Sequence, residues 1–385
     1  MQKIGYFKYW IALVLIATIG VFSFSCNDTD NPGNEGEVLT QAEAEGLINA
    51  VFGPLQTLSS SYSFLLESAT ETTISFEGAD DADGPLVSLF ETTPSNWYAI
   101  KVFNRLYQSI GAANLAIEKI SDPKEGANVT GKELLIARAR FFRGYNLFQL
   151  VQLYGEVPII LSTSQKDVTT RASINDVYTQ IVKDLTEAIP DLPANDALKW
   201  HPTKAAANTI LAKAYLTWGQ NPLSQTELEQ IKSSKQDPVH TVDNTKLQKA
   251  IEYADKVIAD GSYRLLNDYN SIWGGGANGA APENNAEVIF SIYHDGDGID
   301  AQGNHQTHCG FTWPGQATKD PHISYADITL ENRIPEGDPR REYSYATSIS
   351  YDPAGFDAAA KDTLDYIDIL TWPISIVRPG KWIHR

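Results

Sequence analysis

The residues best equipped for chemistry are 48 aspartates and glutamates, seven histidines and two cysteines, and their spacing decides what they can do. Glycoside hydrolysis needs two carboxyl groups set a fixed distance apart across a cleft. The acids here are spread along the chain and no motif fixes such a pair. His294, His305, His308 and Cys309 fall within sixteen residues, but His305-(x)2-His308-Cys309 matches no common zinc spacing. Asp295, Asp297 and Asp300 resemble the start of a calcium loop. An EF-hand also needs an oxygen ligand at position five and Glu at position twelve, where Ile299 and Gln306 stand. The run Gly274–Gly279 has no following Lys-Ser or Lys-Thr and leads into no helix, so it is not a phosphate loop. No serine lies in a Gly-x-Ser-x-Gly elbow. The expectation is a chain without catalytic residues, resident metal or cofactor.

Aromatic side chains in polar loops are the chemistry that is left. Sugars present apolar C–H faces that stack on rings, while amides, hydroxyls and charged groups bond their hydroxyls. Phe76 lies in a Thr/Ser/Gly/Asp-rich stretch, 70–95. Trp273, His294, Phe311 and Trp313 lie in the loop-rich part after residue 265, with Tyr293 and Tyr325 beside them. Phe76, Trp273, His294, Phe311 and Trp313 are the candidate ligand contacts. Tyr293, at the end of a strand-like run 287–293, and Trp97, on a helix stripe, read instead as core.

The elements that must position those loops are helical. Thr40 and Glu43 have capping-box spacing, followed by Leu47, Val51 and Leu55 on one face. From Asn96, the residues Trp97, Ile100, Asn104, Tyr107, Gly111, Asn114, Ile117 and Ile120 recur at helical spacing. A second capping box, Thr130 with Glu133, opens a long helix that Gly155 and Pro158 close. Within it Phe141, Tyr145, Phe148 and Gln152 share a stripe, and Arg138, Arg140 and Arg143 extend to water or to buried acids. Helices over 174–189, 203–218 and 246–258 follow, the last two rich in alanine for close approach. Their alternation resembles tetratricopeptide-type helix pairs without a clean 34-residue period. The fold class expected is mainly α: an antiparallel helical scaffold over 38–265, with long ligand-binding loops and a few short strands over 266–385.

The N-terminus reads as an export signal. Lys3 and Lys8 precede an apolar run, Tyr9–Phe24, which ends at Ser25-Cys26 and gives way to a polar tether through Glu37. Residues 1–25 are therefore expected to be a signal peptide, 26–37 a tether and 38–385 the folded domain. The net charge of −18 excludes an electrostatic route to nucleic acid or anionic lipid. With two cysteines in the chain, and Cys26 at the cleavage point, Cys309 has no partner for a disulfide.

The blocks Ala137-Arg138-Ala139-Arg140-Phe141-Phe142-Arg143-Gly144-Tyr145 and Leu153-Tyr154-Gly155-Glu156-Val157-Pro158-Ile159 resemble the signature helix of the SusD/RagB family, the surface nutrient-binding lipoproteins of Bacteroidetes. Cys26 resembles a lipobox cysteine, and Asn27-Asp28-Thr29-Asp30 a short surface-export signal. The resemblance implies a lipid anchor on Cys26 and an outward-facing place on the outer membrane. It also implies non-catalytic capture of oligosaccharide and delivery to a TonB-dependent SusC-type transporter. The RagB branch implies peptide as the alternative ligand; a surface glycoside hydrolase and a protein-binding tetratricopeptide adaptor are the rivals from other classes. Starch-binding relatives use an arc of Trp and Tyr that is not reproduced letter for letter: Ile74-Ser75-Phe76 stands where a Trp is expected. The segment Ile376–Trp382 resembles the stretch leading into the family's closing helices, which are absent from this chain.

Overall fold

A computed structural model of the chain describes residues 38–70, 73–75, 83–165, 168, 170–234, 241–267, 285–292, 324–326, 335, 337–338, 348–350 and 363–365. Helices dominate: α1 (Gln41–Asn49), α2 (Phe52–Ser68), α3 (Asp83–Ser88), α4 (Trp97–Ser121), α5 (Lys132–Tyr154), α6 (Ile174–Ala188), α7 (Lys204–Gly219), α8 (Gln225–Ser234) and α9 (Asn244–Asp260). Four three-residue strands pair antiparallel as β1 (Thr73–Ser75) with β2 (Ser324–Ala326), and β3 (Ser348–Ser350) with β4 (Thr363–Asp365).

The helices stack as antiparallel neighbours, visible in how residue numbers climb along one helix as they fall along the next. Between α4 and α5, Phe103 meets the Tyr154 ring at 5.2 Å, Asn146 donates to Ser109 Oγ at 2.8 Å, and Arg143 donates to Asn114 Oδ1 at 3.0 Å. Between α5 and α6, Arg140 pairs with Glu187 and Arg143 with Asp184. Between α7 and α9, Tyr215 stacks on Tyr253 at 5.6 Å, and Lys246 lies over the Trp218 ring at 4.5 Å. Val102, Leu106 and Ile110 of α4 form one core with Phe141, Phe142 and Leu150 of α5 and with Val177, Ile181 and Leu185 of α6. Two helical glycines permit close approach of neighbouring elements. A Cβ on Gly144 would sit 3.0 Å from Leu185 Cγ, and one on Gly219 would sit 2.7 Å from Leu247 Cδ2.

Helix α5 carries a buried polar network. Arg143 donates to both oxygens of Asp184, at 2.9 and 2.6 Å, and Asn114 passes the network on to the Ile160 carbonyl at 3.0 Å. All three expected arginines reach acids, since Arg138 also pairs with Asp196 at 3.3 Å. From α4, Tyr107 donates to the Pro158 carbonyl at 2.7 Å, and Glu118 accepts from the amide and hydroxyl of Thr163. The chain leaving α5 is thereby laid along α4.

Four expectations need correction. The Thr40–Glu43 capping box is present, but the Thr130–Glu133 box is not. Gly131 takes a left-handed φ of 62° at the N-cap, and the Thr130 hydroxyl turns away to donate to Gln41 Oε1. The described part of the strand-like run, 287–292, forms no strand. It crosses the helices as irregular chain, with Ser291 bonding the Lys199 carbonyl and Phe290 wedged against Phe141, Phe142 and Tyr145. The stretch 70–95, read as loop, contains α3. Trp97, read as core, is half exposed, and the core stripe of α4 starts one residue later at Tyr98 and runs through Val102 and Leu106.

Candidate ligand site

The site grows from the first turn of α4. Asn96 is buried, its side-chain oxygen accepts from the Tyr98 and Ala99 amides at 3.1 and 3.2 Å, and its amide donates to the Asp83 carbonyl at 3.0 Å. The Asp83 carboxylate accepts from the Trp97 amide at 2.8 Å. Free donors at a helix start need such partners. Here they also bind α3 to α4, which fixes the connection between them.

That connection carries an unusual residue. The amides of Phe90 and Glu91 bond the carbonyls of Val87 and Leu86, the paired bonds of a Schellman helix ending. Its left-handed position is normally glycine, yet Phe90 occupies it with φ 57°. Phe90 is 74% exposed. A bulky residue held in this region costs about 1–2 kcal/mol, and such strain gathers at functional sites.

Phe90 stands at a groove of about 850 Å³ between α2, the α3–α4 connection, the start of α4 and the end of α5. Leu65, Leu66, Val87, Ile100, Phe103 and Tyr154 supply its apolar surface; Thr92, Thr93, Asn104 and Gln225 supply hydroxyls and amides. Trp97 and Ile100 are also largely exposed, at 50% and 43%. Tyr154 donates to the Ala99 carbonyl at 2.7 Å, and burial raises its pKa, so it stays a neutral phenol. Lys101 lies over the Trp97 ring at 4.4 Å, and burial, then the neighbouring Arg105, lower its pKa. Among the described residues no aspartate or glutamate lines this groove. A mostly apolar concavity with a few polar groups suits a stacked, hydrogen-bonded ligand.

A second groove of about 760 Å³ lies between α5 and α7, lined by Tyr145, Gln152, Lys213, Leu216 and Phe290 among others. It has no strained residue and no ring as exposed as Phe90.

Phe76, Trp273, His294, Phe311, Trp313 and Cys26 lie outside the described residues. β1 pairs with β2 in the register Thr73↔Ala326, Ile74↔Tyr325 and Ser75↔Ser324, and β1 packs against α2 and α3. Phe90 and Ile100, which line the groove, are not among the ligand contacts expected from the sequence. Among the described residues, no group of three metal-ligating side chains converges.

Residues 38–216 match the SusD-like family model described as "starch-binding associating with outer membrane". Over this region the chain is similar to the SusD-like family. SusD-like protein P2 of Formosa agariphila is 31% identical over 140 residues, a match spanning 34% of this chain and 27% of that protein. Among solved structures, a SusD superfamily protein from Parabacteroides distasonis superposes with a TM-score of 0.65 at 20% identity, covering 85% of this chain and 68% of its own. Another from Bacteroides thetaiotaomicron gives 0.59 at 19% identity, covering 84% and 68%. A structure solved with xylogluco-oligosaccharide gives 0.56 at 19% identity, covering 76% and 55%. The SusD-like fold is thus common to the helical stack and these structures, and the groove beside Phe90 lies within the matched residues except for Gln225.

Proposed function

We propose that this protein binds oligosaccharide at the outer-membrane surface without cleaving it and passes it to a TonB-dependent SusC-type transporter. The observation that carries the reading is Phe90, an exposed ring held in strained backbone at an apolar groove with neutral hydrogen-bonding groups. Pyranose C–H faces would stack on Phe90 and Ile100, and their hydroxyls would meet Thr92, Asn104 and Gln225. The absence of a carboxylate among the described lining residues supports binding without cleavage, because glycosidic hydrolysis uses a pair of carboxyl groups. The family description and the xylogluco-oligosaccharide bound by a structural relative support a glycan ligand. Lipidation of Cys26 would tether the protein to the membrane. The test is calorimetric titration of the purified chain with a panel of oligosaccharides, alongside chain-length analysis of each glycan. Binding that Phe90→Ala weakens, with chain length unchanged, is expected. Release of new reducing ends, or binding of peptides alone, overturns the proposal.

A further inference from the structure

We infer that the groove selects uncharged oligosaccharides and rejects chains bearing uronate or sulfate. This rests on the reading of the groove as a glycan site and goes on to name the class of glycan. Every hydrogen-bonding side chain in the described lining is neutral: the hydroxyls of Thr92 and Thr93, the amides of Asn104 and Gln225, and the phenol of Tyr154. No lysine, arginine or histidine is among them.

Lys101 and Arg105 of α4 follow the groove residues Ile100 and Asn104 in the chain, but neither is among the described lining residues. The Lys101 ammonium is held over the Trp97 ring at 4.4 Å, and Arg105 is bonded to Gln108 at 2.9 Å. Glu91 is exposed and lies in the chain between the groove residues Phe90 and Thr92, where it adds a negative charge. A carboxylate or sulfate entering would give up hydration without gaining a cation, and burying an unpaired charge is strongly unfavourable. At longer range the net charge of −18 repels a polyanion before contact. A neutral pyranose meets neither penalty, because hydroxyl-to-amide and hydroxyl-to-hydroxyl bonds replace its bonds to water and its apolar faces match Phe90 and Ile100.

The experiment is titration of the full chain with size-matched oligosaccharides at low and at physiological salt. Neutral glucan, xylan and xyloglucan fragments stand against oligogalacturonate and a sulfated galactan fragment. The expected result is binding of at least one neutral glycan, insensitive to salt, with every acidic glycan weaker by about tenfold or more at low salt. Glu91→Lys should strengthen whatever residual acidic-glycan binding exists and make it fall with salt. Tight binding of an acidic glycan that Phe90→Ala abolishes would overturn the selectivity and leave the site standing. Failure of every glycan to bind, or binding untouched by Phe90→Ala, would overturn the site itself and the selectivity with it.

Discussion

Replacing Phe90 by glycine should move stability and affinity in opposite directions, and few other substitutions in this protein should do so. The residue sits at φ 57° and is 74% exposed, so the native state carries backbone strain and gains little from burying the side chain. Releasing the strain is worth about 1–2 kcal/mol. Glycine's extra freedom in the unfolded chain takes back about 0.5–1 kcal/mol. Phe90→Gly should therefore be more stable than the wild type by roughly 0.5 kcal/mol. Phe90→Ala removes the same ring but keeps a Cβ in the left-handed region, so it should stay near the wild type and be less stable than Phe90→Gly by the same roughly 0.5 kcal/mol. Both variants lose the stacking face. If the ring is a contact hot spot, each should bind oligosaccharide more weakly by at least about 2 kcal/mol, or roughly thirtyfold. Urea unfolding and calorimetric titration of the three proteins give all the numbers needed. Equal stability of the glycine and alanine variants would refute the strain argument. Wild-type affinity in both would refute the assignment of the site.

Asp184→Ala should lose about 3–5 kcal/mol in urea unfolding, because Arg143 would stay buried without its bidentate partner; a loss under about 1 kcal/mol would mean that water reaches the guanidinium. Gly111→Ala, with open space around the new Cβ, should gain up to about 1 kcal/mol from helix propensity. Gly144→Ala should fall clearly below it, because Leu185 and Asp184 crowd its Cβ; equal melting points for the two would remove the case for close α5–α6 contact. Burial pushes the Glu118 pKa up, but bonds from Thr163 and Ser162 outweigh it and hold the folded value below 4.5. A folded value below the unfolded one gives stability that is full above the ordinary glutamate range and lost as pH falls through the depressed value. Glu118→Gln should flatten the stability profile in that acid window, and an unchanged profile would refute the linkage. Cys26→Ala should abolish fatty-acid labelling of the exported protein, and labelling that persists would place the anchor elsewhere.

The helices were legible because their evidence is local. Period and caps are written in consecutive residues, so α4, α5, α6, α7 and α9 stand within a few residues of where the sequence put them. The arginines of α5 were legible in kind, as groups needing acids, although their partners are set by how α5 meets α6 and the chain after it. The Thr130 box failed for a local reason that the sequence held but did not rank. Gly131 can take a left-handed turn at no steric penalty, which starts the helix without Thr130 and frees its hydroxyl for Gln41.

The groove was hidden for a different reason. Tyr98 and Trp97 are adjacent aromatics at the start of one helix, and periodicity alone does not say which faces inward. That choice is made by Asp83 and Asn96, which fix the helix start against α3 and so turn Tyr98 inward and Trp97 outward. Phe90 is hidden more deeply. A left-handed helix ending is read from glycine, and a phenylalanine in that place gives the opposite signal. The sequence rule fails where the backbone is strained, and the strained residue is the one the groove displays. Local inconsistency of this kind is expected where function, and not stability, has set the residue. It makes Phe90 a stronger candidate for ligand contact than a ring that satisfies every local rule.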